Sequence, residues 1–163
     1  MVTFDSTFVV LVFNLIPLLT ALPFMVHACA IDWKVHRLPN PLVLRSAIAS
    51  LLGIAIASLL LDQVQRLRSS IACAFLALIA MLALHLLSRG QLGFGDVKFA
   101  FPCGALLGWF AVNSLLLWLW VSFLLAALYS GWKLVTGGRR DTKAIAFGPF
   151  MLLSLCAVIL LAR

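Results

Sequence analysis

The chain has 163 residues, of which 64% are hydrophobic and only 10% are charged. Soluble domains are about 45–50% apolar and about 25% charged, so this chain has too little polar surface for a water-soluble globule. The composition excludes a soluble enzyme, a disordered tail and a nucleic-acid-binding domain, although the net charge is +7. We expect an integral membrane protein.

Short polar segments divide the apolar stretches along the chain. A membrane-spanning helix needs roughly 20 apolar residues, and the uncharged stretch 99–132 is long enough for two. We expect it to break between Gly108 and Ser114. The sequence predicts an all-α fold of six transmembrane helices in a single domain, residues 1–163, with spans at about 8–31, 42–61, 70–88, 97–111, 114–135 and 145–162.

The basic residues fall mainly on one side of this arrangement. Nine lie in the loops near 32–45, 89–98 and 133–143, and three lie on the opposite side. Cytoplasmic loops of membrane proteins carry the excess of lysine and arginine. We therefore expect these three loops to face the cytoplasm and both termini to be extracytoplasmic.

Two of the five acidic residues, Asp32 and Asp96, occupy matching positions in the predicted topology. Asp32 follows the first span, and Asp96 lies at the mouth of the fourth. Because two spans separate them, both must lie on the same face of the membrane. Each alone could be an interfacial residue, and Asp96 could also cap its helix. Ionisable groups at a membrane boundary are costly, so a pair at one depth favours a functional role.

Two carboxylates close together can hydrolyse a peptide bond with water. Since both cannot ionise easily, they share one proton: one carboxylate acts as base on the water, and the other as acid toward the carbonyl oxygen. Such a pair titrates as a unit, and the sequence assigns neither role. Gly93 and Gly95, just before Asp96, lack Cβ atoms and allow close approach of an extended substrate backbone.

Three separated motifs resemble the type IV prepilin peptidases, membrane aspartyl proteases with a GxGD motif. Asp32, followed by a basic run and LPN at 38–40, is similar to the family's D-x6-P-N segment. Residues 93–98 (GFGDVK) are similar to its GxGDxK segment, with the family-like GALLGW at 104–109. Residues 147–150 (FGPF) resemble a Gly-Pro turn at the start of its last span.

The resemblance implies that the protein removes the short basic leader of prepilins or pseudopilins at the cytoplasmic face of the bacterial inner membrane, without a metal or cofactor. A cytoplasmic site agrees with the orientation predicted from the distribution of basic residues. The resemblance also implies a catalytic pair, Asp32 and Asp96. The expected supporting residues are Gly93, Gly95, Lys98, Pro39 and Asn40. Lys98 is either an interfacial anchor or a charge that tunes Asp96, and Pro39 and Asn40 end one helix, begin the next and hold the loop of Asp32 in place.

One departure from the larger family members concerns the region between the first two spans. Those members carry an additional cytoplasmic region associated with N-methylation of the new terminus, whereas only about ten residues separate the first two spans here. We therefore do not expect methyltransferase activity. The compact size is similar to that of the short peptidases of tight-adherence (Flp-type) pilus systems.

Two other functions stay open from the sequence. A small proton-coupled transporter or channel could use Asp32 and Asp96 as proton carriers, and in a structural assembly subunit the pair would be incidental. A transporter would usually show a charge near the bilayer midplane and internal repeats, and neither is evident in the sequence.

The remaining notable side chains suggest structural roles. The five tryptophans are expected mostly at the membrane interface or facing lipid. The four cysteines are widely separated in apolar stretches and are expected to be small buried apolar residues.

Overall fold

A computed structural model of the protein describes residues 6–136 and 146–162, and within these ranges the fold is helical with no strand. A short 3-10 turn, Val112–Ser114, is the only other regular element of the described ranges. The α-helices are α1 (Ser6–Val35), α2 (Asn40–Leu61), α3 (Val64–Leu87), α4 (Phe94–Phe110), α5 (Leu115–Val135) and α6 (Gly148–Leu161). The prediction of an all-α protein with six helices is confirmed.

Four helical segments are long and apolar enough to cross a membrane, namely Val10–Val35, Asn40–Leu61, Val64–Leu87 and Val112–Val135. The remaining two helices, α4 and α6, are shorter, with 17 and 14 residues. Large apolar side chains such as Leu59 and Leu116 are 83% and 70% exposed, as suits helices surrounded by lipid. The protein is therefore a membrane protein. That α4 and α6 also cross, and that both termini are extracytoplasmic, stay predictions.

The helix boundaries differ from the predicted spans mainly at the first, third and fourth helices. Helix α3 begins at Val64, six residues before the predicted start. Helix α1 continues past residue 31 and ends at Val35. The next residue, His36, has a φ of 55°, which lies in the left-handed region. Helix α4 begins at Phe94, three residues before the predicted start. Asp32 therefore lies in the last turn of α1, and Asp96 in the first turn of α4.

The later boundaries agree more closely with the sequence. The long apolar stretch breaks at the 3-10 turn that joins α4 to α5, within the predicted interval. The last predicted span began at residue 145, which lies outside the described residues, and α6 itself begins at Gly148.

Helix α4 occupies the centre of the bundle and contacts α1, α2, α3 and α6. Its approach to α3 depends on Gly104 and Gly108, which lie four residues apart on one face. A Cβ atom at Gly104 would lie 2.5 Å from the carbonyl oxygen of Cys73, and one at Gly108 would overlap Ser70 Cα. Small residues at this spacing let two membrane helices pack with their backbones in close contact.

Helices α5 and α6 are joined by buried polar contacts. The Nε1–H of Trp118 donates to the carbonyl oxygen of Met151 at 3.0 Å, and the hydroxyls of Ser122 and Ser154 share a hydrogen bond. Three tryptophans are exposed as expected, whereas Trp118 and Trp109 are buried. Three of the four cysteines are buried, and all four are free thiols.

Candidate active site

Asp32 and Asp96 line the same cavity, which has a volume of about 330 Å³ and lies where α1 ends and α4 begins. Their side chains are 4% and 8% exposed. The other lining residues come from the turn between α1 and α2 and from the start of α4: His36, Arg37, Leu38, Asn40, Gly93, Phe94, Gly95 and Lys98. The fold thus brings together two aspartates that are 64 positions apart in the sequence.

Asp32 is held by the end of its own helix and by the beginning of α6. The chain leaves α1 at His36, whose N–H donates to the carbonyl oxygen of Asp32 at 2.8 Å. The Asp32 carboxyl oxygen Oδ2 accepts a hydrogen bond from the backbone N–H of Gly148 at 3.2 Å. The first N–H groups of a helix have no partner within it. Asp32 therefore supplies an acceptor to the first residue of α6.

Asp96 is the third residue of α4 and lies in its first turn, and Gly93 is the N-cap residue of this helix. The backbone N–H of Asp96 donates to the carbonyl oxygen of Gly93 at 3.1 Å. A Cβ atom on Gly93 would lie only 2.9 Å from Asp96 Oδ2. Glycine at this position therefore leaves room for the aspartate's own carboxyl group. Contact of Gly93 and Gly95 with a substrate backbone stays a prediction.

Leu38 lies between the start of α4, which carries Asp96, and the start of α6, which contacts Asp32. A Cβ atom at Gly95 would lie 3.0 Å from Leu38 Cβ, and one at Gly148 would lie 3.3 Å from Leu38 Cδ2. The side chain of Leu38 thus contacts the residue next to Asp96 and the residue bonded to Asp32. It links the two halves of the site.

The predicted supporting residues lie beside the cavity in two different ways. Lys98 Nζ donates to Asn40 Oδ1 at 3.1 Å and lies 5.0 Å from the ring centroid of Phe94, which ties α4 to the start of α2. Pro39 does not line the cavity. It is the N-cap residue of α2, and its carbonyl oxygen accepts hydrogen bonds from Leu42 and Val43.

Sequence reasoning missed the direct contacts of Gly148 and Leu38 with this site. Gly148 belongs to a motif that the resemblance includes, and the start of the sixth span falls on the same membrane face as the start of the fourth. This shared face could have indicated that Gly148 lies near the site. Leu38 offered no signal of its own, since it is one of many leucines in the chain.

Comparison with known proteins bears on the same residues. The sequence profile of the type IV leader peptidase family matches residues 19–131, which is more than half of the chain. The protein belongs to this family. The matched segment of this type IV leader peptidase family member includes both aspartates and every cavity-lining residue, and it ends before Gly148. No curated protein and no solved structure matches the chain.

Membership identifies the protein as a leader-peptidase-like protease, and proteases of this family are of the aspartic type. The cavity suits such chemistry in size. A water molecule occupies about 30 Å³ in the liquid, so the cavity can hold a water molecule and part of an extended peptide beside the two carboxyl groups.

Proposed function

We propose that the protein is a membrane-embedded aspartyl endopeptidase that removes the short basic leader of prepilins or pilin-like proteins, with Asp32 and Asp96 as its catalytic pair. The observation that carries the proposal is the meeting of these two buried aspartates at one cavity at the end of the helix bundle. Family membership supports the same reaction class.

The proposed reaction is the attack of water on the peptide carbonyl carbon at the end of the leader. One carboxylate takes a proton from the water as its oxygen bonds to the carbonyl carbon, and the other carboxyl group gives a proton to the carbonyl oxygen. The tetrahedral intermediate then loses the amine, which receives a proton as the C–N bond breaks. The products are the free leader and a pilin with a new N-terminus.

The lipid bilayer supplies positioning that a soluble protease obtains from a deep cleft. An apolar helical stem in the membrane fixes the depth of the bond that joins it to the leader. The two aspartates lie at the ends of α1 and α4, where a helical stem meets the membrane surface. Restricting the depth of a substrate in this way lowers the entropic cost of reaching the reactive geometry.

The proposed location is the bacterial inner membrane, with the cavity facing the cytoplasm. The residues that line the cavity come from segments 32–40 and 93–98, which belong to two of the three loops predicted to carry nine of the twelve basic residues. Such loops are typically cytoplasmic. We expect leader removal without N-methylation, so the N-terminus of the processed pilin should have the mass of an unmodified residue.

Replacing each aspartate by its amide tests the proposal. Asp32→Asn and Asp96→Asn should each abolish leader removal from a co-expressed, tagged prepilin, because an amide can neither take up nor release the required proton. Immunoblotting and mass spectrometry of the pilin N-terminus measure the outcome.

The matched control is Asp62→Asn. Asp62 is an exposed C-cap residue of α2 with a left-handed φ of 52°, a conformation that asparagine also tolerates. This variant should process normally. All three variants should accumulate in the membrane at similar levels. Leader removal that persists in Asp32→Asn or Asp96→Asn would contradict the proposal.

A further inference from the structure

The first turn of α6 has one N–H group available to Asp32. The carbonyl oxygen of Phe147 accepts the N–H groups of Phe150 and Met151 at 3.1 and 3.2 Å, and Pro149 has no N–H. Among residues 148–151, only Gly148 therefore has an N–H free to bond outside the helix. It donates to Asp32 Oδ2.

Close packing at Gly148 favours glycine at this contact. A Cβ atom there would lie 3.0 Å from Asp32 Oδ2, the same oxygen that accepts the N–H, and 3.3 Å from Leu38 Cδ2. Any larger residue would push the carboxyl group or the leucine away. The absence of a side chain at position 148 and the hydrogen bond therefore belong to one arrangement.

The donor acts on the charge of Asp32 as well as on its position. Hydrogen bonds to a charged acceptor are roughly twice as strong as those to a neutral one. The N-terminus of a helix also favours nearby negative charge. Asp96 lies near the N-terminus of its own helix, α4. In residues 6–136 and 146–162, however, no N–H donates a hydrogen bond to its carboxyl group, whereas the Gly148 N–H donates one to Asp32.

We propose that Gly148 is a positioning residue whose backbone N–H keeps Asp32 charged and thereby selects it as the base of the reaction. This inference rests on the proposed function. Asp32 then takes a proton from the attacking water, while Asp96 gives its proton to the carbonyl oxygen. When the C–N bond breaks, Asp32 passes its proton to the leaving amine, and Asp96 recovers a proton as the new carboxyl group forms.

Other charged and titratable groups surround the pair, and one of them, His36, lies one helical turn after Asp32 and favours its charged form alongside the Gly148 N–H. In the described part of the chain, those near Asp32 are Cys29 on α1, His36 and Arg37 in the following turn, Asp96 and Lys98 on α4. Cys156 lies on α6. Arg37 and Lys98 line the cavity that both aspartates share, whereas a positive charge on His36 acts on Asp32. Only the Gly148 N–H is bonded to one of the two.

A backbone ester at position 148 tests this role. Cell-free synthesis into lipid nanodiscs can insert glycolic acid in place of Gly148, which removes the N–H and adds no atom near Asp32. Cleavage of a prepilin is then followed across pH. Losing the donor makes the charged form of Asp32 less favourable, so the acidic limb of the kcat profile should move to higher pH by about one unit. KM should stay within about twofold, and kcat should fall most at pH values below the limb, by about tenfold for a shift of one unit.

Two controls separate this effect from structural damage. Glycolic acid at Gly131, a glycine of α5 where a Cβ atom would have no neighbour within 4 Å, makes the same backbone change away from the site. Asp62→Asn removes an exposed carboxyl group at the C-cap of α2, outside the cavity. Both should leave the acidic limb in place.

The outcomes distinguish this inference from the proposed function. A uniform loss of kcat at every pH, with the acidic limb unmoved, would overturn the selecting role of Gly148 and leave the peptidase proposal intact. An unmodified protein that cleaves no prepilin at any pH would refute the peptidase proposal itself.

A second measurement requires no turnover. The infrared spectrum of the resting protein near neutral pH should contain a protonated carboxyl band that is lost in Asp96→Asn. Survival of that band in Asp96→Asn, together with its loss in Asp32→Asn, would overturn the assignment.

Discussion

At the scale of single residues, Leu38 sets the separation between the two parts of the site. Its side chain contacts Gly95, which precedes Asp96, and Gly148, whose N–H donates to Asp32. A branched apolar side chain in this place fills space without offering either carboxyl group a competing hydrogen bond. The distance between the two acids therefore depends on a residue that has no chemical role of its own.

Leu38→Ala should lower kcat while leaving the protein folded. The lost methyl groups would let the starts of α4 and α6 shift, and a displacement of about 1 Å at a reactive centre can cost about 100-fold in rate. We expect a loss of about 10- to 100-fold in the cleavage of a prepilin in nanodiscs. Leu44→Ala is the control, because Leu44 is 61% exposed on the outer side of α2. Equal rates for the two variants would refute a spacing role.

The sequence allowed the two aspartates and several of their neighbours in the cavity to be predicted, but not the contacts of Leu38 and Gly148. Asp32 and Asp96 stand out because acids are rare in this chain and because two spans separate them. The contact of Gly148 with Asp32 depends on how α6 is rotated about its axis. An apolar helix in lipid carries no polar side that would reveal its rotation.

At the scale of helices, the contact between α3 and α4 depends on two glycines. Gly104 and Gly108 lie against the backbone of α3 near Cys73 and Ser70, where a methyl group has no space. Because α4 also carries Asp96, this packing fixes one half of the site relative to the rest of the bundle.

Gly104→Ala and Gly108→Ala should each destabilise the protein. Forcing a methyl group into a filled contact typically costs about 1–3 kcal/mol. Unfolding of the purified protein in mixed detergent, followed by circular dichroism, measures the change. Gly131→Ala is the matched control, since nothing lies within 4 Å of a Cβ atom there, and its effect should stay within about 0.5 kcal/mol. Similar stabilities for all three variants would show that the contact is looser than described.

Helix number was predictable from length and apolar content, whereas helix ends were not. Helix α1 continues through Trp33 and Lys34, although polar residues at this point suggested a loop. A basic residue is favourable in a last helical turn, and the Trp33 ring lies 5.6 Å from that of Tyr129 and 6.4 Å from that of Phe150. Contacts with distant helices thus stabilise the extra turn, and such contacts are invisible in the local sequence.

At the scale of the whole molecule, the number of crossings links the side of the cavity to the side of the termini. If all six helices cross, the cavity lies on the face opposite both termini. The cavity is lined by residues of two loops that are rich in basic residues, near 32–45 and 89–98, and this charge predicts that the cavity faces the cytoplasm. Burial within the bundle was harder to predict. Trp118 on α5 is buried, and its Nε1–H donates to the carbonyl oxygen of Met151 on α6. The local sequence of these two apolar helices does not reveal this contact.

Reporter fusions test this topology. Alkaline phosphatase joined after residue 163 should be active, and green fluorescent protein at the same point should be dark. The reverse pattern is expected for fusions within 88–93, the turn that precedes α4. An inactive phosphatase at the C-terminus would contradict either the orientation or the sixth crossing.

The shortness of α4 and α6 has a consequence for the surrounding membrane. At 1.5 Å per residue, helices of 17 and 14 residues are about 25 and 21 Å long, whereas the hydrocarbon layer is about 30 Å thick. Helix α4 is enclosed by other helices, whereas α6 exposes large apolar side chains such as Leu160. If α6 crosses the membrane, the lipid chains beside it must tilt or compress to match its length. Local thinning of the bilayer of this kind would bring headgroups and bulk solvent closer to Asp32 and Asp96, so the proposed cleavage should depend on acyl-chain length.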